Sequence, residues 1–111
     1  MVEVKFTITE DNCVGLTMSG HAGHGKKGED IVCSAASILA YTVAQTVAHM
    51  AAQGKLLDAP KIVLEPGNCY ISAKPGKDTF YEVFHAFFVV QVGYSLLATR
   101  YPDNVKLESF A

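Results

Sequence analysis

The chain has 111 residues, a formal net charge of −2, and a composition that is 50% hydrophobic and 18% charged. This composition excludes a disordered chain, and the charge offers no broad attraction for nucleic acid, although it does not exclude a very basic protein partner. The three widely spaced cysteines exclude a disulfide framework and a paired-cysteine zinc site.

We therefore expect a single domain spanning residues 1–111, with no direct nucleic-acid partner. No apolar run approaches the roughly 20 residues that cross a bilayer, so no membrane association is expected. The N-terminus alternates like a strand and lacks the apolar core of a signal peptide, which predicts a cytoplasmic protein.

The first half of the chain is predicted to form two strands and a long helix. Apolar and polar residues alternate over 2–8 and again over 14–18, with turn residues between them, which predicts a hairpin. From Val32 to Met50 the apolar residues recur at gaps of three and four, which is typical of a helix. Asp30 is a good N-cap and Gly54 a good stop signal, so the helix is expected at about 30–53.

The second half is predicted to repeat this order. Residues 61–65 and 69–73 flank Pro66-Gly67-Asn68, a pattern typical of a hairpin with a type II turn. A second helix begins near Phe80 and ends before Tyr101-Pro102; it is apolar on two sides, which favours a sandwiched helix or a partner chain. A possible last strand lies near 105–107. The order ββαββα predicts an α+β fold, with two helices packed on a mostly antiparallel sheet of four to five strands.

The connection between the second strand and the first helix contains the residues with chemical potential. It holds two histidines and four glycines, and it delivers Cys33 into the first turn of the helix. The unpaired amides at a helix N-terminus favour anions, and a thiolate is an anion. Because this effect contributes only about 0.3–1 kcal/mol, the thiol also needs an imidazole as base. His21 is better placed than His24, since it leaves a strand whereas His24 lies inside the loop.

Two further residues of this region are candidates for supporting roles. Ser37 lies one helical turn after Cys33, where its hydroxyl can donate to the sulfur, donate to a substrate carbonyl, or act only as a small packing residue. Asp30 is expected to cap the helix, and the same carboxylate can also serve as a catalytic acid. The glycines at 23, 25 and 28 predict a mobile loop that orders around a bound peptide.

Three other readings of the same segment compete with a thiol enzyme. Residues 20–27 nearly match a nucleotide-binding P-loop, but Lys27 stands where a Ser or Thr is required. His21, His24 and Cys33 have the chemistry of zinc ligands but lack a clear fourth partner, so we expect neither a metal nor a cofactor. The remaining alternative is a non-catalytic module for dimerisation or binding, in which the glycine loop is only a long connection.

The combined motif resembles that of a known family. Gly20-His21-Ala22-Gly23, then Gly28, then Asp30-Ile31-Val32-Cys33-Ser34-Ala35-Ala36-Ser37 are similar to the signature of the bacterial ribosomal-processing cysteine protease Prp family. The chain length, the element order, Gly93 and Tyr101-Pro102 also fit. Ser34 departs from the more usual alanine, and the roles of His24, Lys26 and Lys27 stay open.

The resemblance implies a cysteine endopeptidase with Cys33 as nucleophile and His21 as general base and acid. Gly20, Asp30 and Ser37 match the supporting positions, and the loop glycines Gly23, Gly25 and Gly28 would gate the substrate. Members of the family remove a short N-terminal extension from the precursor of the twenty-seventh large-subunit ribosomal protein. They form homodimers, so a homodimer is expected here as well. For the alternative of a non-catalytic dimerisation or binding module, the resemblance implies association with the ribosome.

Overall fold

A computed structural model of the chain describes residues 1–23, 25 and 30–110. The elements in chain order are β1 (Val2–Ile8), β2 (Val14–Ser19), α1 (Ile31–Ala52), β3 (Lys61–Glu65), β4 (Asn68–Ala73), α2 (Phe80–Arg100) and β5 (Val105–Glu108). The predicted α+β class and element order are therefore confirmed, and the possible last strand is present.

The five strands form one mixed sheet in the order β3-β4-β2-β1-β5. Three neighbouring pairs are antiparallel, whereas β5 runs parallel to β1. The pairing of β2 with β4 joins the two hairpins and sets Ser19 opposite Asn68. As a result, the turn between β3 and β4 lies beside the residues that follow β2, and the Gly20 N–H donates to the Gly67 carbonyl at 2.9 Å.

The buried residues of both helices join those of the sheet in a single core. Tyr94 of α2 is fully buried, and its hydroxyl donates to the Ala36 carbonyl of α1 at 2.7 Å. Burial raises the pKa of Tyr94, so the phenol stays protonated and keeps donating this bond. The helices approach closely near Gly93, where a Cβ would lie only 2.7 Å from Leu39 Cδ2.

Both helices are long and apolar enough, by length and composition alone, to cross a membrane. The expectation that no segment is long and apolar enough to cross a membrane is therefore wrong for these two helices. The core helices of soluble proteins have the same property, because one side of such a helix is buried against a sheet. Here the buried residues of α1 recur at helical spacing from Val32 to Met50 and belong to the core.

Candidate active site

Asp30 starts α1 and thereby fixes the position of Cys33. The Asp30 side chain accepts hydrogen bonds from the backbone N–H groups of Val32 at 2.9 Å and Cys33 at 3.0 Å. Asp30 is only 5% exposed, and these bonds to amides at the helix N-terminus stabilise its carboxylate. The predicted N-cap is confirmed, and Cys33 occupies the third helical position, as expected.

The sulfur of Cys33 has a different partner from the one that its place in the helix suggests. The first-turn amides of Val32 and Cys33 donate to the Asp30 carboxylate, so these two are not the amides that contact the sulfur. Instead, the backbone N–H of Ala22 donates to Cys33 Sγ at 3.1 Å. A donor at this position stabilises a thiolate, because a hydrogen bond to an anion is stronger than one to a neutral acceptor.

His21 directly precedes Ala22 and packs against the turn between β3 and β4. A Cβ built on Gly67 would lie 2.7 Å from His21 Nε2 and 3.0 Å from Cε1, so the imidazole rests on a surface that only glycine provides. Gly67 also has φ +71°, as the predicted type II turn requires after Pro66. The β3–β4 turn therefore limits where the imidazole can lie.

His21 and Cys33 line the same cavity, which has a volume of about 720 Å³. Both side chains are described, and no direct hydrogen bond joins them in this structure. In enzymes without bound substrate, catalytic hydrogen bonds are often long and tighten only when the substrate arrives. The sulfur and the imidazole are therefore both accessible from the same cavity.

The supporting residues predicted from the sequence are also close to this cavity. Gly20, Asp30 and Ser37 line it. Gly20 has φ +90°, and a Cβ there would lie 2.2 Å from the Met1 carbonyl oxygen, so only glycine fits before His21. Of the loop glycines, Gly23 and Gly25 line the cavity, whereas Gly28 lies outside the described residues. His24, Lys26 and Lys27 lie outside them as well.

Several residues at the site were not predicted from the sequence. Pro66 and Gly67 form one wall, and Ile38 and Tyr41 extend the cavity along α1 beyond Ser37. The turn motif at Pro66-Gly67 was visible in the sequence. Ile38 and Tyr41 follow Ser34 by one and two helical turns, which also could have been noticed. Asn104 had no signal, because its contact with Ala22 joins residues that are far apart in sequence.

The other two cysteines differ from Cys33. Cys69 is 1% exposed on β4, and burial raises the pKa of its thiol, which disfavours the nucleophilic thiolate. Cys13 lies in the turn between β1 and β2 and does not line this cavity. Within residues 1–23, 25 and 30–110, no group of three or more His, Cys, Asp or Glu side chains is arranged to hold a metal ion.

Comparison with known proteins identifies the family. The sequence model of the family described as "Cysteine protease Prp" matches residues 1–106. No curated protein matches the chain in sequence.

Solved structures share the fold. The ribosomal processing protease Prp from S. aureus, in complex with a covalently linked product peptide, has a TM-score of 0.76 at 24% identity, covering 98% of this chain and 99% of that one. The same protease with a substrate peptide gives 0.69 at 23%, with the same coverage. A protein from Streptococcus mutans gives 0.66 at 21%, covering 99% and 94%. Because the family model spans nearly the whole sequence, the chain belongs to the cysteine protease Prp family.

Proposed function

We propose that this cysteine protease removes the short N-terminal extension from the precursor of the twenty-seventh large-subunit ribosomal protein, with Cys33 as nucleophile and His21 as base. The observation that carries the assignment of the two residues is their position on one cavity, with an amide donor on the sulfur. The choice of substrate is supported by membership of the Prp family and by the S. aureus structures, which are of a ribosomal processing protease.

Cys33 and His21 divide the bond-making and proton-transfer steps of the reaction between them. Cys33 Sγ attacks the scissile carbonyl carbon while His21 takes the thiol proton. His21 then gives that proton to the departing amine, which is the new N-terminus of the mature protein. The extension stays on the sulfur as a thioester until His21 activates a water molecule, which hydrolyses the thioester and restores the thiol.

The peptide needs an extended, accessible path to the sulfur. The cavity provides one along α1, where Cys33, Ser37 and Tyr41 follow one another at helical spacing. We also propose that the loop glycines, Gly23 and Gly25 among them, gate this path. The Ser37 hydroxyl is proposed to contact the sulfur or the substrate carbonyl.

The most direct test of the substrate uses the precursor protein itself. Wild type is expected to convert the extended ribosomal protein into the mature form and a short peptide, whereas Cys33→Ala is expected to produce neither. Mass spectrometry of the products also gives the cleavage position. Cys13→Ala is the matched control, since it removes a thiol outside the cavity and is expected to cleave normally.

Each result of this test has a clear meaning. Loss of cleavage in Cys33→Ala alone supports the proposed nucleophile. Cleavage by Cys33→Ala at the normal rate would contradict it. If wild type leaves the precursor intact but cleaves other peptides through Cys33, the substrate is wrong and the mechanism stands. A protein that only binds the precursor, with or without Cys33, would be the non-catalytic module instead.

We also propose that the protein acts in the cytoplasm as a homodimer. Large apolar side chains are exposed along α2, among them Tyr81 at 82% and Leu96 at 68%. Such a surface is typical of a face that contacts another chain. Light scattering is expected to give the mass of two chains for wild type and of one chain for Leu96→Asp; a monomeric wild type would contradict this part of the proposal.

A further inference from the structure

Asn104 connects the C-terminal part of the chain to the residue beside His21. It lies in the turn between α2 and β5, where its backbone N–H donates to the Tyr101 carbonyl at 3.0 Å and its carbonyl accepts from the Val2 N–H at 2.8 Å. The side-chain amide is thus carried on an anchored backbone. Its Nδ2 donates to the Ala22 carbonyl at 2.8 Å.

Ala22 is held at three points. Its methyl group is buried, its carbonyl accepts from Asn104, and its N–H donates to Cys33 Sγ. The next residue, Gly23, is exposed and has φ +69°, and a glycine places little restriction on the backbone. The bond from Asn104 therefore fixes the orientation of Ala22 where the loop begins.

We propose that Asn104 is a positioning residue that holds the Ala22 N–H on the sulfur of Cys33 and so favours the ionised, nucleophilic form of the thiol. This inference rests on the proposed role of Cys33 as nucleophile. A hydrogen bond to the charged form of a group favours that form. The donor must be held in place, because an amide that turns away leaves the anion to solvent.

The other groups at the cavity explain why an N–H donor on the sulfur of Cys33 is needed. Among the described residues that line it, the titratable groups besides Cys33 are His21, Asp30 and Tyr41. The Asp30 side chain accepts hydrogen bonds from the first-turn amides of Val32 and Cys33, so these two amides do not donate to the sulfur. Among the described residues, the Ala22 N–H donates to the sulfur, and Asn104 fixes its direction.

The test follows the reactivity of Cys33 without any substrate. Iodoacetamide reacts with the thiolate, so the rate of alkylation against pH gives the midpoint of thiol ionisation. Mass spectrometry of peptides separates Cys33 from Cys13 and Cys69. In Asn104→Ala the midpoint is expected to move up by about 0.5–1 pH unit, which slows alkylation at lower pH by about 3- to 10-fold, as for the loss of one hydrogen bond.

Asp103→Ala is the matched control. Asp103 is exposed in the same turn, and its side chain makes no hydrogen bond to any described residue. It is expected to keep the wild-type midpoint. A lower melting temperature in Asn104→Ala with an unchanged midpoint would reduce Asn104 to a structural residue and overturn the proposal.

A second variant covers the case in which Asn104→Ala does not fold. Asn104→Leu keeps about the size of the side chain and adds no charge, but it removes the donor to the Ala22 carbonyl. Its midpoint is expected to rise at least as much, and a wild-type midpoint would overturn the proposal. Because alkylation needs no precursor, a wrong substrate assignment leaves this result unaffected.

Discussion

Two connections in the molecule lead from a strand into a helix, but the residues at the two helix starts make different contacts. Residues 20–30 lead from β2 into α1, and residues 74–79 lead from β4 into α2. The third residue of α1 is Cys33, and the third residue of α2 is Glu82. Cys33 lines a cavity of about 720 Å³, whereas Glu82 forms an ion pair with Lys55 at 2.7 Å.

In the second connection, the hydroxyl of Thr79 is bound to backbone groups. Thr79 precedes α2 but makes no side-chain cap bond; its hydroxyl donates to the Lys55 carbonyl at 2.6 Å and accepts from the Gly76 N–H at 2.8 Å. In the first connection, Asp30 caps the helix and leaves Cys33 Sγ to the Ala22 N–H. Among the described residues, His21 and Cys33 thus line a cavity with no hydrogen bond between them, whereas Thr79 and Glu82 are bound to Lys55.

The largest expected effect is a difference in cleavage rate between variants of two histidines, one at the first connection and one on α2. His21→Ala is expected to lower the rate of precursor cleavage by about 10²- to 10⁴-fold, because general acid–base catalysis contributes that much. His85→Ala, an exposed position on α2, is expected to retain the wild-type rate. Steady-state kinetics with circular dichroism of both folded variants checks this. Equal rates in the two variants would exclude His21 as the base.

A smaller contrast is expected between the residues at the two helix starts. Asp30→Ala removes the cap and is expected to lower the free energy of unfolding by about 0.5–2 kcal/mol. It is also expected to slow cleavage by about 10-fold or more, since the sulfur shifts with the first turn. Thr79→Val is expected to lose a similar free energy of unfolding and no activity. Urea denaturation and cleavage rates together measure both, and a matching loss of activity in Thr79→Val would remove the contrast.

Two glycines with the same backbone conformation sharpen the comparison further. Gly67 and Gly54 have φ +71° and +73°, and alanine at either position costs about 1–2 kcal/mol. A Cβ at Gly67 would meet His21, whereas one at Gly54 would meet nothing within 4 Å. Both variants are therefore expected to lose a similar free energy of unfolding, but Gly67→Ala is expected to cleave the precursor several-fold more slowly than Gly54→Ala. Similar cleavage by both variants would show that the turn does not position the imidazole.

The smallest effect belongs to the ion pair of the second connection. Lys55 and Glu82 are partly exposed, and surface pairs contribute about 0–1 kcal/mol. Glu82→Gln is expected to reduce the melting temperature slightly in low salt and not at all in high salt. Cleavage is expected to be unchanged, and a clear loss of activity would link this connection to the site after all.

Local patterns were sufficient to predict the elements. Alternation predicted β1 and β2, the turn motif Pro66-Gly67-Asn68 predicted β3 and β4, gaps of three and four predicted the helices, and Asp30 marked the start of α1. The pairing of β2 with β4 had no local signal, so the position of Gly67 against His21 could not be foreseen. The expectation that the helix amides face the sulfur was wrong for Val32 and Cys33, because Asp30 occupies the amides of both. Asn104 was missed because its bond to Ala22 joins distant parts of the chain.

The central claim is that the Cys33 sulfur attacks the substrate with His21 as base. Mixing wild type with the precursor, stopping the reaction with acid within the first turnover and measuring intact mass tests this directly. We expect a rise in mass equal to the acyl group of the removed extension, located on Cys33 by peptide mapping and strongly reduced in His21→Ala. Cleavage without an acyl group on Cys33 at any time, or with full adduct formation in His21→Ala, would contradict the account.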